Sequence, residues 1–118
     1  MSLATFTEGY TDAIHFAELG PDDKPLDWRF EFSAPAEQRI ANDCLAFYSA
    51  HNERFNYGRG REDDAYAGHD FWLTRAGHGA GFWDGDLAPE DGDALTAATE
   101  AIGACEVYVG DDQLLYFA

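Results

Sequence analysis

The residues best suited to chemistry lie in one stretch: His69, Asp70, His78, Asp84 and Asp86. Imidazole and carboxylate groups together bind divalent cations. One reading of His69, His78, Asp84 and Asp86 is therefore a metal-binding module or a small metal-dependent hydrolase. The spacing gives it little support. His69 and His78 are nine positions apart and form neither an HxH nor an HExxH pattern, and metal ligands must converge in one geometry. The competing reading is structural, with His69 at the edge of a strand and His78 in a tight turn. The glycines at 77, 79 and 81 do not make a phosphate cradle. They do not spell GxGxxG, no helix is expected after them, and no Lys or Arg follows Arg75. Ser33 and Ser49 sit outside any GxSxG elbow. Cys44 and Cys105 have apolar neighbours and no CxxC spacing, which points to buried free thiols. A disulfide between them, or a Cys–His pair formed in the fold, stays open. No motif calls for a cofactor, and the balance leans away from an enzyme.

Carboxylates are the more abundant chemistry. The chain carries 23 acids against 7 bases, for a formal net charge of −16 over 118 residues. The imbalance grows along the chain, with ten acids and five bases in residues 1–60 and thirteen acids and two bases in residues 61–118. Asp84, Asp86, Glu90, Asp91, Asp93, Asp111 and Asp112 all follow the last base. Phosphate binding needs Lys and Arg, so direct nucleic-acid binding is excluded, and an anionic membrane surface is disfavoured for the same reason. The partner that fits is a protein with a basic surface. A row of carboxylates also imitates a DNA duplex, which places one charge about every 1.7 Å along its axis. The plainer alternative is an acidic face that keeps a small domain soluble.

These groups need elements to hold them. Phe6, Tyr10, Ile14 and Ala17 recur at helical spacing over residues 4–18, with Thr5 or Thr7 as the cap. Residues 20–27 read as a loop, and Trp28, Phe30 and Phe32 as a short strand or an extended arm. Ser33 caps a helix of about twenty residues carrying Ile40, Cys44, Phe47 and Tyr48, with Pro35 in its first turn. The run from Gly68 to Asp84 is expected to be a β-hairpin, with strands at 71–74 and 80–83 and a glycine turn between. Adjacent strand residues face opposite ways, so one member of each pair Phe71–Trp72 and Phe82–Trp83 points outward. Trp72 and Trp83 are thus candidate interaction residues. A helix over 93–102, ended by Gly103, and a second hairpin at 106–117 turning at Gly110-Asp111-Asp112 complete the chain. The expected fold is α+β: two helices, a hairpin, a short helix and a hairpin, with an antiparallel sheet of about four strands packed on the helices.

The apolar content of 46% and aromatic content of 15% support a packed core, and the length fits a single domain over 1–118. The first residues lack the charged and apolar regions of a signal peptide, and no run approaches membrane-spanning length. A cytoplasmic protein is expected.

The segment Ala67-Gly-His-Asp-Phe-Trp-Leu-Thr-Arg-Ala-Gly-His-Gly-Ala-Gly-Phe-Trp-Asp-Gly-Asp86, with the later Tyr108-Val-Gly-Asp-Asp112, resembles a family of small acidic proteins encoded by bacteriophages and prophages. The likeness covers most of the chain and departs most in residues 1–60. That family has no settled function, so it lends no site residues. It implies a phage or prophage accessory protein acting in the bacterial host cytoplasm. Together with the charge, this leads to a non-enzymatic binding protein that engages a basic surface, as a nucleic-acid mimic or an inhibitor of a host defence or DNA-processing enzyme. Besides the metal reading, the other alternative is a structural domain that forms a homodimer through an edge strand or the outward aromatics.

Overall fold

Apolar residues at three- and four-residue spacing build the first helix. In the computed structural model, which describes residues 2–118, α1 spans Leu3–Ala17 and buries Phe6, Tyr10, Ala13 and Ile14. Its cap lies upstream of the expected threonines: the Ser2 hydroxyl accepts from the Thr5 amide at 3.1 Å. α2 (Ala34–His51) starts as expected, with the Ser33 hydroxyl accepting from the Ala36 amide at 3.2 Å and Pro35 in the first turn. Between them the chain is an extended arm with one 3₁₀ turn at Asp27–Arg29. The arm ends by pairing with the C-terminal strand: the Leu115 amide donates to the Glu31 carbonyl at 2.8 Å, and the Ser33 amide to the Leu115 carbonyl at 2.9 Å.

The expected hairpin at 68–84 does not form. Residues Asp63–Ala76 are a helix, α3, and residues 77–88 form a turn and loop. The helical period was present in the sequence. Asp64, Ala67, Gly68, Phe71, Trp72 and Arg75 are all buried, following the i, i+3, i+4, i+7 pattern of one broad helix face. The neighbouring aromatics do not alternate: both face inward, Phe71 onto Phe6 of α1 and Phe47 of α2, and Trp72 onto Tyr10 of α1 and Phe117 of the C-terminal strand. Glycine misled as well. Gly68 sits within the helix because a Cβ there would overlap the Phe6 carbonyl oxygen on α1, and a Cβ at Gly9 would overlap the Ala65 carbonyl on α3. The two backbones touch where neither helix carries a side chain. Gly77 then ends α3 in the left-handed region at φ 77°, with the His78 amide returning to the Leu73 carbonyl at 3.0 Å.

α4 (Pro89–Ile102) begins four residues before the expected start, with Pro89 in its first turn, and ends at Gly103 as read from the sequence. The second hairpin does form. β1 (Val107–Val109) pairs antiparallel with β2 (Leu115–Phe117), in the register Val107↔Phe117 and Val109↔Leu115. It is the sole sheet among the described residues. The fold is therefore mostly helical with a two-stranded C-terminal ribbon, and not α+β with a four-stranded sheet.

Aromatic rings fill the centre. Phe6, Phe47, Phe55 and Phe71 come from both long helices, the linker and α3, with Phe47 and Phe71 stacked at 4.1 Å and Phe6 and Phe55 at 5.3 Å. Each buried ring contributes on the order of 2–3 kcal/mol. Arg75 closes the arrangement from inside. Its side chain is 2% exposed, and it donates to Asp43 of α2 at 2.8 Å, to the Tyr10 hydroxyl of α1 at 3.1 Å and to the Gly103 carbonyl at 3.3 Å. Cys44 and Cys105 are free and buried. Burial pushes the Cys44 thiol up to about 12 and raises that of Cys105 as well, which keeps both from acting as thiolates near neutral pH.

Candidate functional site

The close crossing of α1 and α3 leaves a groove. Gly9 and Ala65 give it a low floor, while Asp12, His69, Glu62 and Tyr66 stand along it around a cavity of about 420 Å³. Asp12 and His69 also line a second cavity of about 310 Å³, which opens toward Phe16, Asp27 and Trp28. The two cavities adjoin at Asp12 and His69. No Lys or Arg lines either part.

The aromatic end is built by the arm. Its loop folds back on α1: the Gly20 amide donates to the Lys24 carbonyl at 2.8 Å, the Leu26 amide donates to the Glu18 carbonyl at 2.9 Å, and the Leu26 side chain is buried. Asp23 and Asp27 adopt positive φ (61° and 56°), a conformation aspartate tolerates better than most side chains. The turn at Asp27 presents Trp28, whose ring packs on the buried His15 at 4.3 Å. The two His15 ring nitrogens each lie 3.0 Å from a backbone carbonyl, Thr11 on α1 and Phe30 on the arm. A neutral imidazole donates to only one of these. The histidine clamps the arm to the helix, yet Trp28 stays 67% exposed and Phe16 78% exposed.

The electrostatics of the groove are negative. Burial holds His69 below its ordinary value, with Asp12 pulling the other way, so the ring is uncharged near neutrality. Asp70, at the far end, is pushed up to about 6. Burial is the main cause; the Tyr57 hydroxyl, donating to it at 2.7 Å, opposes the shift, and Asp84 and Asp86 add to it. Tyr57 is raised in turn, by burial first and then by Asp70.

The residues singled out in the sequence are scattered. Trp72 is fully buried and its indole N–H donates to Glu18 at 2.9 Å, so it is a core residue and no docking aromatic. Trp83 is 52% exposed. His78 pairs with the same Glu18, whereas His69 faces Asp12 on the groove. The two histidines are thus engaged separately, and no group of three His, Cys, Asp or Glu side chains among the described residues is placed to hold a metal ion. Asp84, Asp86, Glu90, Asp93, Asp111 and Asp112 are exposed. Asp91 is half-buried and pairs with Arg54 at 2.9 Å. Asp112 accepts from the Leu114 amide at 3.0 Å and from the Tyr116 hydroxyl, which holds it below the usual carboxylate range. Sequence reasoning missed Asp12, Phe16, Asp27 and Trp28. Asp12 and Phe16 are four apart and off the buried phase of α1, and that was the available signal.

No family model, no curated protein and no solved structure matches the chain. The functional reading therefore rests on the site itself.

Proposed function

We propose that this protein is a non-enzymatic binding protein that engages a basic surface on another protein. One observation carries the reading: most of its few cations are neutralised internally, which leaves the acids uncompensated. Arg29, Arg39, Arg54 and Arg75 pair with Asp22, Asp43 and Asp91, and Arg75 is enclosed in the core. Lys24, Arg59 and Arg61 have no such partner among the described residues, and the chain holds 23 acids against 7 bases, an excess of 16. A field of that sign repels nucleic acid and anionic lipid and speeds encounter with basic proteins. Proteins that handle nucleic acid carry such surfaces, and occupying one would block it as a phosphate chain does. In the phage or prophage setting that the motif resemblance implies, the partner is a defence or DNA-processing enzyme of the bacterial host, met in its cytoplasm.

The test uses the heparin-retained proteins of a bacterial lysate, passed over the immobilised chain at about 50 mM and about 500 mM salt. A variant with Asp84, Asp86, Glu90 and Asp93 changed to amides serves as the control. Retention is expected at low salt, weaker at high salt and weaker on the variant, and the retained protein should release bound duplex DNA when the chain is added. Retention indifferent to both salt and charge would overturn the reading.

A further inference from the structure

We infer that the groove between α1 and α3 receives a basic peptide segment of the partner, with an arginine side chain seated against Trp28 and Phe16 and paired with Asp12 and Asp27. The inference rests on the basic-surface reading and narrows it to one place on the molecule.

Four features converge there. Trp28 and Phe16 are among the most exposed large apolar side chains of a fold whose other aromatics mostly pack inward, and together they flank one cavity. Asp12 and Asp27 on its rim are exposed and enter no ion pair among the described residues. The cavity of about 310 Å³ lies at the small end of ligand sites, which run from about 300 to 1,000 Å³, and suits one side chain better than a cofactor. The site is also held in place beforehand, because His15 and Leu26 fix the arm that carries Trp28. Little ordering is then left for binding to impose.

Arginine fits better than lysine. Its planar guanidinium stacks on an indole while its N–H fork reaches carboxylates on either side. The chain already uses this contact within itself, with Arg59 over Tyr66 and Arg29 over Phe30, each at 5.2 Å. Beyond Asp12 and His69 lies the exposed Glu62, so a peptide leaving the arginine site meets a further carboxylate.

The probe is an eight-residue peptide of arginine, glycine and serine, titrated calorimetrically into the full chain at low salt, with lysine and glutamate versions alongside. The arginine peptide is expected to bind most tightly and the glutamate peptide not at all. Trp28→Ala should weaken binding about tenfold and Asp12→Asn about threefold. Asp111→Asn/Asp112→Asn, on the C-terminal ribbon, should change it less than about twofold. Both groove positions are exposed, and circular dichroism checks that the variants fold. Amide shifts in NMR should cluster at Gly9, Asp12, Phe16 and His69. Wild-type affinity in Trp28→Ala, equal losses in the ribbon variant, or self-association that covers Trp28 would each overturn the groove. Should the peptide fail while basic proteins are still retained in a salt-dependent way, the groove falls and the broader reading stands. Loss of both overturns both.

Discussion

Asp70→Asn is expected to stabilise the protein increasingly as pH rises. The side chain is 8% exposed, and its carboxyl titrates at about 6 against an ordinary value of 3.8. Burial is the main cause, and Asp84 and Asp86 reinforce it. A carboxyl with a raised folded value is held protonated more tightly by the native state than by the unfolded chain. Its stabilising contribution is complete below about pH 4 and is lost as pH climbs through about 6. At about 1.4 kcal/mol per pH unit, the full loss is on the order of 3 kcal/mol. The isoelectric point near 4.2 limits work on the acid side. Between about pH 5 and pH 8, roughly one unit remains, or about 1.4 kcal/mol, equivalent to about 5 °C in Tm. Asparagine keeps an oxygen for the Tyr57 hydroxyl and removes the ionisation. Urea unfolding of both proteins across that range gives the difference, in which the remaining carboxylates largely cancel. The variant should gain about 1.4 kcal/mol on wild type between the two ends. A flat difference, or a variant that loses ground at high pH, would refute the reasoning. The second result would mean that the Tyr57 hydrogen bond outweighs burial and stabilises the ionised form.

Gly68→Ala should cost about 3 kcal/mol or more, because its Cβ overlaps the Phe6 carbonyl and lies 2.7 Å from the Tyr10 nitrogen, both backbone atoms with little freedom to move. Gly79→Ala, where nothing lies within 4 Å of the new Cβ, should stay within about 0.5 kcal/mol in the same urea titration. Arg75→Met should cost about 2–3 kcal/mol, since it takes the donor from the buried Tyr10 hydroxyl and from the Gly103 carbonyl at the join of three helices, while the partly exposed Asp43 keeps Arg39. A loss under about 1 kcal/mol in chemical unfolding would show that the buried pair matters little.

The sequence made the start of α2, the end of α4 and the C-terminal ribbon legible because those depend on local chemistry. Ser33 and Pro35 start α2, Gly103 stops α4, and Gly110-Asp111-Asp112 turns the hairpin. The segment 63–84 was misread because its decisive partner is remote in sequence. Gly68 resembles a strand or turn residue until Gly9 is seen across from it, and a glycine in a helix is worth its conformational freedom only where another backbone approaches. The same contact hid the groove, since Asp12, His69 and Trp28 come from α1, α3 and the arm and meet only in the fold. The acids after Arg75 were legible as charge, and that part of the reading needs no geometry.

The central claim is that uncompensated acidity drives recognition of a basic protein surface. The most direct measurement is the affinity for a retained basic partner as a function of salt, for wild type and for the variant with Asp84, Asp86, Glu90 and Asp93 neutralised. The account predicts an affinity that falls at least about tenfold between about 50 mM and 200 mM salt, with a shallower slope in the variant. Equal affinity across salt, or identical slopes for the two proteins, would contradict it.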